Sequence, residues 1–125
     1  IMVIAIGTDI VEIARIAEVL ERQGERFIDR ILTVSEKTLY NQSKSVSFVA
    51  KRFAAKEAVA KALGTGIGRG VSFQDIFISN NAKGAPLVEL SNGAADVMRE
   101  LGGARMLLSL SDERHYALAY AVLTE

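Results

Sequence analysis

R-F-A-A-K-E-A-V-A-K-A-L-G-T-G-I-G-R-G, residues Arg52 to Gly70, is the stretch whose reading decides the fold. Val59 is its only β-branched residue before Gly64, so the run predicts a helix that stops there in a glycine-rich loop. Phe53, Ala60 and Leu63 fall on the apolar stripe of helical spacing, and Val49 extends it one turn earlier. Glu57 stands within that stripe, four residues after Phe53 and three before Ala60. A carboxylate on a core-facing stripe must be paired, protonated or bound to a metal, because an isolated buried charge is too costly.

A second carboxylate breaks an apolar pattern near the N-terminus, in I-A-I-G-T-D-I-V-E-I. Met2 to Ile6 is strand-like, and Gly7 marks a close approach or a bend. If the strand continues, Asp9 shares a face with Val3, Ala5 and Val11, while Ile4, Ile6 and Ile10 occupy the other. Two such acids from distant parts of the chain suit one hard cation such as magnesium. The alternative is that Asp9 caps the following helix and Glu57 pairs with Lys61 at i+4.

With 125 residues, half of them hydrophobic, the chain is expected to form one domain, residues 1–125, around a single core. Fifteen basic residues balance fifteen acidic ones, so nothing global favours nucleic acid or an anionic membrane. An acidic partner must be met by a local patch. The absence of cysteine excludes disulfides and thiolate metal sites, and one histidine excludes a poly-histidine zinc site within the chain. No apolar stretch approaches the roughly 18 residues of a membrane span. The first residues lack the basic region of a signal peptide, and Met2 is the expected natural start, so a cytoplasmic protein is expected.

Along the chain, a strand over Met2 to Ile6 leads to a helix over about Ile13 to Arg22, ending near Gly24. Phe27 to Leu32 predicts a helical turn, Ser35 opens a helix to about Gln42, and Ser47 is the expected cap of the long helix. A strand near Asp75 to Ser79 and another over Leu87 to Leu90 form a hairpin about the Asn80 to Gly84 turn. Ser91 is expected to cap a helix over Ala94 to Leu101, and Arg105 to Ser111 and Tyr116 to Leu123 read as antiparallel strands. The class is α+β: a small single domain with an antiparallel sheet packed against helices on one side, one of them long and central.

The glycine loop follows a helix C-terminus, where the macrodipole is negative, so it is no Walker loop, and its glycines suit a C-cap. Lys61, one turn earlier, is placed to offer a cation to a phosphate or to stand in solvent. His115 has no serine or cysteine motif around it to suggest a triad. Arg15, Arg22 and Arg26 fall at i, i+7 and i+11, one stripe if the first helix runs past Gly24, with Glu18, Glu21 and Glu25 alongside. Such a stripe is either a solvated face or a docking patch for an acidic partner helix.

G-T-D-I-V-E-I-A-R-I at Gly7 to Ile16, taken with R-F-A-A-K-E-A-V-A-K-A-L-G-T-G-I at Arg52 to Ile67, closely resembles the holo-acyl-carrier-protein synthases. These are small bacterial 4′-phosphopantetheinyl transferases. S-F-Q-D-I at Ser72 to Ile76, the G-x-P at Gly84 to Pro86 and L-S-L-S near the C-terminus extend the resemblance over essentially the whole chain.

The resemblance implies transfer of the phosphopantetheine arm of coenzyme A to a serine of apo-acyl carrier protein, in support of fatty acid biosynthesis. It makes Asp9 and Glu57 magnesium ligands on the pyrophosphate, with Lys61 adding charge and Gly64, Thr65 and Gly66 admitting the nucleotide to the backbone. Arg52 is the implied 3′-phosphate residue. A homotrimer with sites between subunits is implied too, with Arg15, Arg22 and Arg26 receiving the carrier's acidic helix. Two departures stand out. Asp112 follows Ser109-Leu110-Ser111 where relatives carry histidine, leaving His115 three residues later as the nearest candidate toward the nucleotide. Gly84-Ala85-Pro86 replaces the usual G-K-P, with Lys83 just before it. A non-catalytic carrier-protein module and a regulatory coenzyme A binder are the competing readings, and neither needs two buried carboxylates.

Overall fold

Helix α4 (Val46–Ala62) is the element around which the chain is built. In the computed structural model, which describes residues 2–125, it is capped by Ser45, whose hydroxyl accepts the Phe48 N–H at 3.1 Å. The cap is therefore Ser45 and not Ser47. Lys44 takes a left-handed conformation (φ 56°) that ends the preceding helix, and Ser45 follows it directly as the cap. At the other end Gly64 adopts φ 82°, and the N–H groups of Thr65 and Gly66 return to the Ala60 carbonyl, as a glycine C-cap does.

The six alanines of α4 are all buried; Ala50, Ala54, Ala58 and Ala62 form one i,i+4 row, and the buried Val49, Arg52, Lys56 and Val59 cover the far side of the helix. The helix is thus enclosed on nearly all sides, and its C-terminal half opens along the stripe Phe53, Glu57 and Lys61. This corrects the expectation that Glu57 faces the core. Alanine faces are flat enough for a sheet and two helices to close over them, and the larger side chains mark the remaining gap.

The strand β1 (Val3–Glu12) runs through Gly7 without stopping and continues well past Ile6. With β4 (Arg105–Asp112) and β5 (Tyr116–Thr124) it makes an antiparallel sheet in the order β1-β5-β4. Ala5, Gly7, Asp9 and Val11 turn toward α4, flanked in register by Ala117, Ala119, Ala121 and Leu123 of β5. Small residues on this face bring sheet and helix into backbone contact. A Cβ on Gly7 would lie 2.1 Å from the Ala58 carbonyl oxygen and 2.6 Å from the Ala62 nitrogen, so Gly7 marks an approach and no bend.

Helices α1 (Ile13–Gln23), α2 (Glu25–Ile31) and α3 (Val34–Ser43) wrap the opposite side of α4. Gly24, with φ 56° and ψ −131°, separates α1 from α2, so the first helix does not run past it. Thr33 caps α3 in a reciprocal box with Glu36, displacing the start expected at Ser35. A 3-10 turn over Phe73–Asp75 replaces the start of the expected strand, because the Asp75 carboxylate folds back on the Ser72 N–H at 3.2 Å. Strands β2 (Ile76–Asn80) and β3 (Pro86–Leu90) form the hairpin, as a second, separate sheet. Helix α5 (Asn92–Glu100) follows Ser91, which stands at the cap position without a side-chain cap bond. The α+β class holds. No helix among the described residues is long and apolar enough to cross a membrane.

Gly7→Ala should be strongly destabilising, since the clash is with helix backbone, which cannot rotate away. A loss of about 1–3 kcal/mol is expected for such overpacking, read as a fall in thermal midpoint of several degrees. A midpoint unchanged from that of the parent would contradict the close approach.

Candidate active site

The contact between Gly7 and α4 fixes what stands beside it. Two residues on from Gly7, Asp9 points the same way and meets Lys61, whose ammonium donates to an Asp9 carboxylate oxygen at 3.1 Å and to the Thr8 carbonyl at 2.9 Å. Asp9 does not cap α1, where Glu12 occupies the cap position without a side-chain bond, and Lys61 pairs with Asp9 and not with Glu57. Glu57 lies one helical turn before Lys61 on the open stripe.

Burial raises the Glu57 pKa above its ordinary value, and the nearby Asp9 carboxylate raises it further, against the pull of Lys61 and Arg30. The two acids therefore share one electrostatic site. Arg30 of α2 was not singled out from sequence. It lies over the Phe73 ring at 5.4 Å, on the same side of α4 as Glu57, and only the packing of α2 on α4 reveals it.

Two like charges held together beside a lysine are chemically fit for a hard cation. Oxygen is the donor magnesium prefers, and magnesium keeps several waters, so two protein carboxylates suffice. No group of three or more metal-ligating side chains occurs among the described residues. The Gly64-Thr65-Gly66 loop begins one turn beyond Lys61, with positive φ at both glycines and the Thr65 hydroxyl on the Gly66 carbonyl at 2.8 Å.

Arg52, Gly84 and Pro86 meet in a separate cavity of about 270 Å³, also lined by Phe48, Lys51, Asn80, Leu110 and Asp112. Arg52 is 4 % exposed, and its guanidinium lies over the Phe48 ring at 4.5 Å. Its Nε and Nη2 are buried without hydrogen-bond partners. Unpaired buried donors cost about 1–3 kcal/mol each, and both of these are closed off from solvent. Asp112, on the cavity wall, pairs with Lys51 at 3.8 Å. Lys83 is exposed on the β2–β3 turn next to Gly84. His115 lies outside the cavity, on the β4–β5 turn, where its carbonyl accepts the Ile13 N–H at 2.8 Å.

Arg15, Arg22 and Arg26 are all exposed, but the break at Gly24 places Arg26 on α2, so they are not one continuous helical stripe. Arg15 edges an apolar cavity of about 280 Å³ that reaches Asp9 and is lined by Ile10, Ile16, Val19, Phe27 and Phe53.

Residues 5–121 match the sequence model of the 4′-phosphopantetheinyl transferase superfamily. The holo-[acyl-carrier-protein] synthase of Shewanella frigidimarina is 57 % identical over 122 residues, 97 % of each chain. Among solved structures, the synthase of Neisseria meningitidis superposes with a TM-score of 0.92 at 42 % identity, covering 99 % of this chain and 100 % of that one. The Helicobacter pylori synthase, solved in complex with coenzyme A, gives 0.84 at 39 % identity over 95 % of this chain and 99 % of its own.

The chain belongs to the 4′-phosphopantetheinyl transferase superfamily, and within it to the holo-acyl-carrier-protein synthases. Its reaction moves the 4′-phosphopantetheine group of coenzyme A onto apo-acyl carrier protein and leaves adenosine 3′,5′-bisphosphate.

The raised Glu57 pKa has a sign that stability measurements can read. An acid whose proton is held more tightly in the folded state weakens the fold as pH rises from its ordinary value of 4.5 through the raised one. In chelator, Glu57→Gln should therefore unfold at a higher temperature than the parent at neutral pH. The difference should vanish as pH falls below the ordinary carboxylate range. A variant less stable than the parent at neutral pH would contradict this.

Proposed function

We propose that the transfer is carried out where β1 meets the C-terminal half of α4, with Asp9 and Glu57 as the magnesium ligands. The observation that carries this is the convergence of two carboxylates, one raised in pKa partly by the other, with Lys61 bridging to the first. Magnesium held there supplies Lewis-acid charge to the pyrophosphate of coenzyme A. Lys61 adds a positive charge one turn from Glu57, and Arg30 a second from α2. Gly64, Thr65 and Gly66 present backbone to the nucleotide at the end of α4, without side chains that would hold it off.

Arg52 takes the 3′-phosphate in this reading, because its cavity joins an unspent guanidinium to Gly84 and Pro86. Lys83 adds charge from the adjoining turn. His115 stands outside this cavity within the chain.

The carrier protein lies along α1, its acidic helix meeting Arg15 and Arg22 there and Arg26 at the start of α2. The apolar cavity beside Arg15 leads toward Asp9, which puts the docking surface within reach of the chemistry. The chain works as a homotrimer with its sites between subunits. Support comes from the outer face of the three-stranded sheet, where Ile6, Ile10, Leu107, Leu118 and Tyr120 form an exposed apolar surface larger than isolated apolar residues explain.

Asp9→Asn and Glu57→Gln, each folded, should lose about 100-fold or more in transfer to apo-carrier protein, weighed by mass spectrometry, since a charge-stabilising group is removed. Near-normal turnover of either in magnesium would sink the assignment. Arg15→Glu should raise the Michaelis constant for carrier protein far more than that for coenzyme A. Added salt should do the same, because rim charges steer encounter and are screened beyond about 8 Å at physiological ionic strength. Carrier kinetics indifferent to both would make the arginines a solvated face.

A further inference from the structure

A polar pair with no solvent exposure lies directly behind Arg52. Glu36 of α3 and Lys56 of α4 are both 0 % exposed. The Glu36 Oε1 accepts the Thr33 N–H at 2.8 Å and the Lys56 ammonium at 2.6 Å, and its Oε2 accepts the Ile78 N–H at 2.8 Å. Lys56 gives its remaining donors to the carbonyls of Ile31 at 2.8 Å and Phe73 at 3.1 Å. Every donor of Lys56 is therefore used. Arg52 lies beside the same carboxylate, its Nε 3.8 Å from Oε2, yet makes no hydrogen bond to it.

The charges decide what that spacing means. Glu36 alone beside Arg52 would be a neutral pair, and a carboxylate facing a guanidinium closes to a two-pronged bond when nothing else occupies its oxygens. Here Lys56 and the Thr33 N–H bond Oε1 and the Ile78 N–H bonds Oε2, so the carboxylate's charge is already engaged by Lys56 and its oxygens are held by α3, α4 and β2. With Lys56 present the triad carries one net positive charge, and it resides on the arginine at the cavity wall.

We propose that Lys56 is a positioning residue for coenzyme A selectivity, acting through Glu36: it takes up that carboxylate so that Arg52 keeps its charge and donors for the 3′-phosphate. Lys56 itself touches no substrate, since it is sealed beneath the chain. The role rests on the reading of Arg52 as the 3′-phosphate residue, and the test separates the two. A merely structural tie among α2, α3, α4 and β2 would lower stability when broken and leave ligand selectivity alone.

The measurement is calorimetric titration of the whole protein with adenosine 3′,5′-bisphosphate and with adenosine 5′-monophosphate, which differ by the 3′-phosphate. The ratio of the two affinities is the readout, with thermal unfolding alongside. Arg52→Met should bring the preference close to one, and an unchanged preference there would remove the Arg52 reading itself. Lys56→Gln, which retains amide donors and loses the charge, should lower the preference about fivefold or more, because Glu36 then claims the guanidinium. Glu36→Gln should act in the opposite direction and raise it about threefold or more, as the triad gains net positive charge. A preference lost in Arg52→Met but kept in folded Lys56→Gln would overturn the inference. Should Lys56→Gln fail to fold, Glu36→Gln decides, and an unchanged or lowered preference in it would be equally fatal.

Discussion

Everything at the site depends on the contact of two backbones, β1 at Gly7 against α4 between Ala58 and Ala62. No side chain fits there, since the first carbon of one would fall 2.1 Å from a helix carbonyl oxygen. The approach sets the distance at which Asp9, two residues along the strand, faces Lys61 and Glu57 on the helix. A wider gap would let the carboxylates separate into solvent, where neither would feel the other. Burial of Glu57 raises its pKa most and the Asp9 carboxylate raises it further, and both come from this packing.

The alanine-rich composition of α4 serves the same end. Large side chains would have held the helix away from the sheet, while the row Ala50, Ala54, Ala58 and Ala62 lets the strands close on it, with α1 and α2 packed elsewhere around the helix. What remains open along the C-terminal half of the helix is Phe53, Glu57 and Lys61, a stripe that begins at the apolar cavity lined by Phe53 and Asp9. Function and core share a helix, and the division between them is a matter of residue size. The sealed Glu36–Lys56 pair completes this arrangement from below. Buried ion pairs seldom add much stability over apolar replacements, so a role in the charge of the neighbouring arginine gives a reason for its presence.

Much of this was legible in the sequence because local chemistry fixed it. The glycine at the end of α4, the hairpin and the two C-terminal strands all follow from residue types acting over a few positions, whereas Gly7 reads as either an approach or a bend and the packing of β1 on α4 decides for the approach. The proposed site acids were singled out for a partly mistaken reason: Glu57 interrupts an apolar pattern, but on the open side of an enclosed helix. Periodicity cannot find the open side of a helix that is buried almost all round. Cap positions shifted by two residues at Thr33 and Ser45, where several hydroxyls compete and the choice depends on where the preceding helix ends. Arg30, Glu36 and Lys56 were not readable, since their partners come from segments far away in sequence. The arginine stripe required the first helix to run past Gly24; the helix ends there instead, where the sequence places its end.

The central claim is that Asp9 and Glu57, joined by the Gly7 contact, form one divalent-cation site completed by the nucleotide. Manganese, a spectroscopic substitute for magnesium, tests it directly when titrated into the protein with coenzyme A and followed by electron paramagnetic resonance. The account predicts one tightly held ion per chain, lost when Asp9→Asn and Glu57→Gln are combined. Undiminished binding of manganese by that double variant would contradict it.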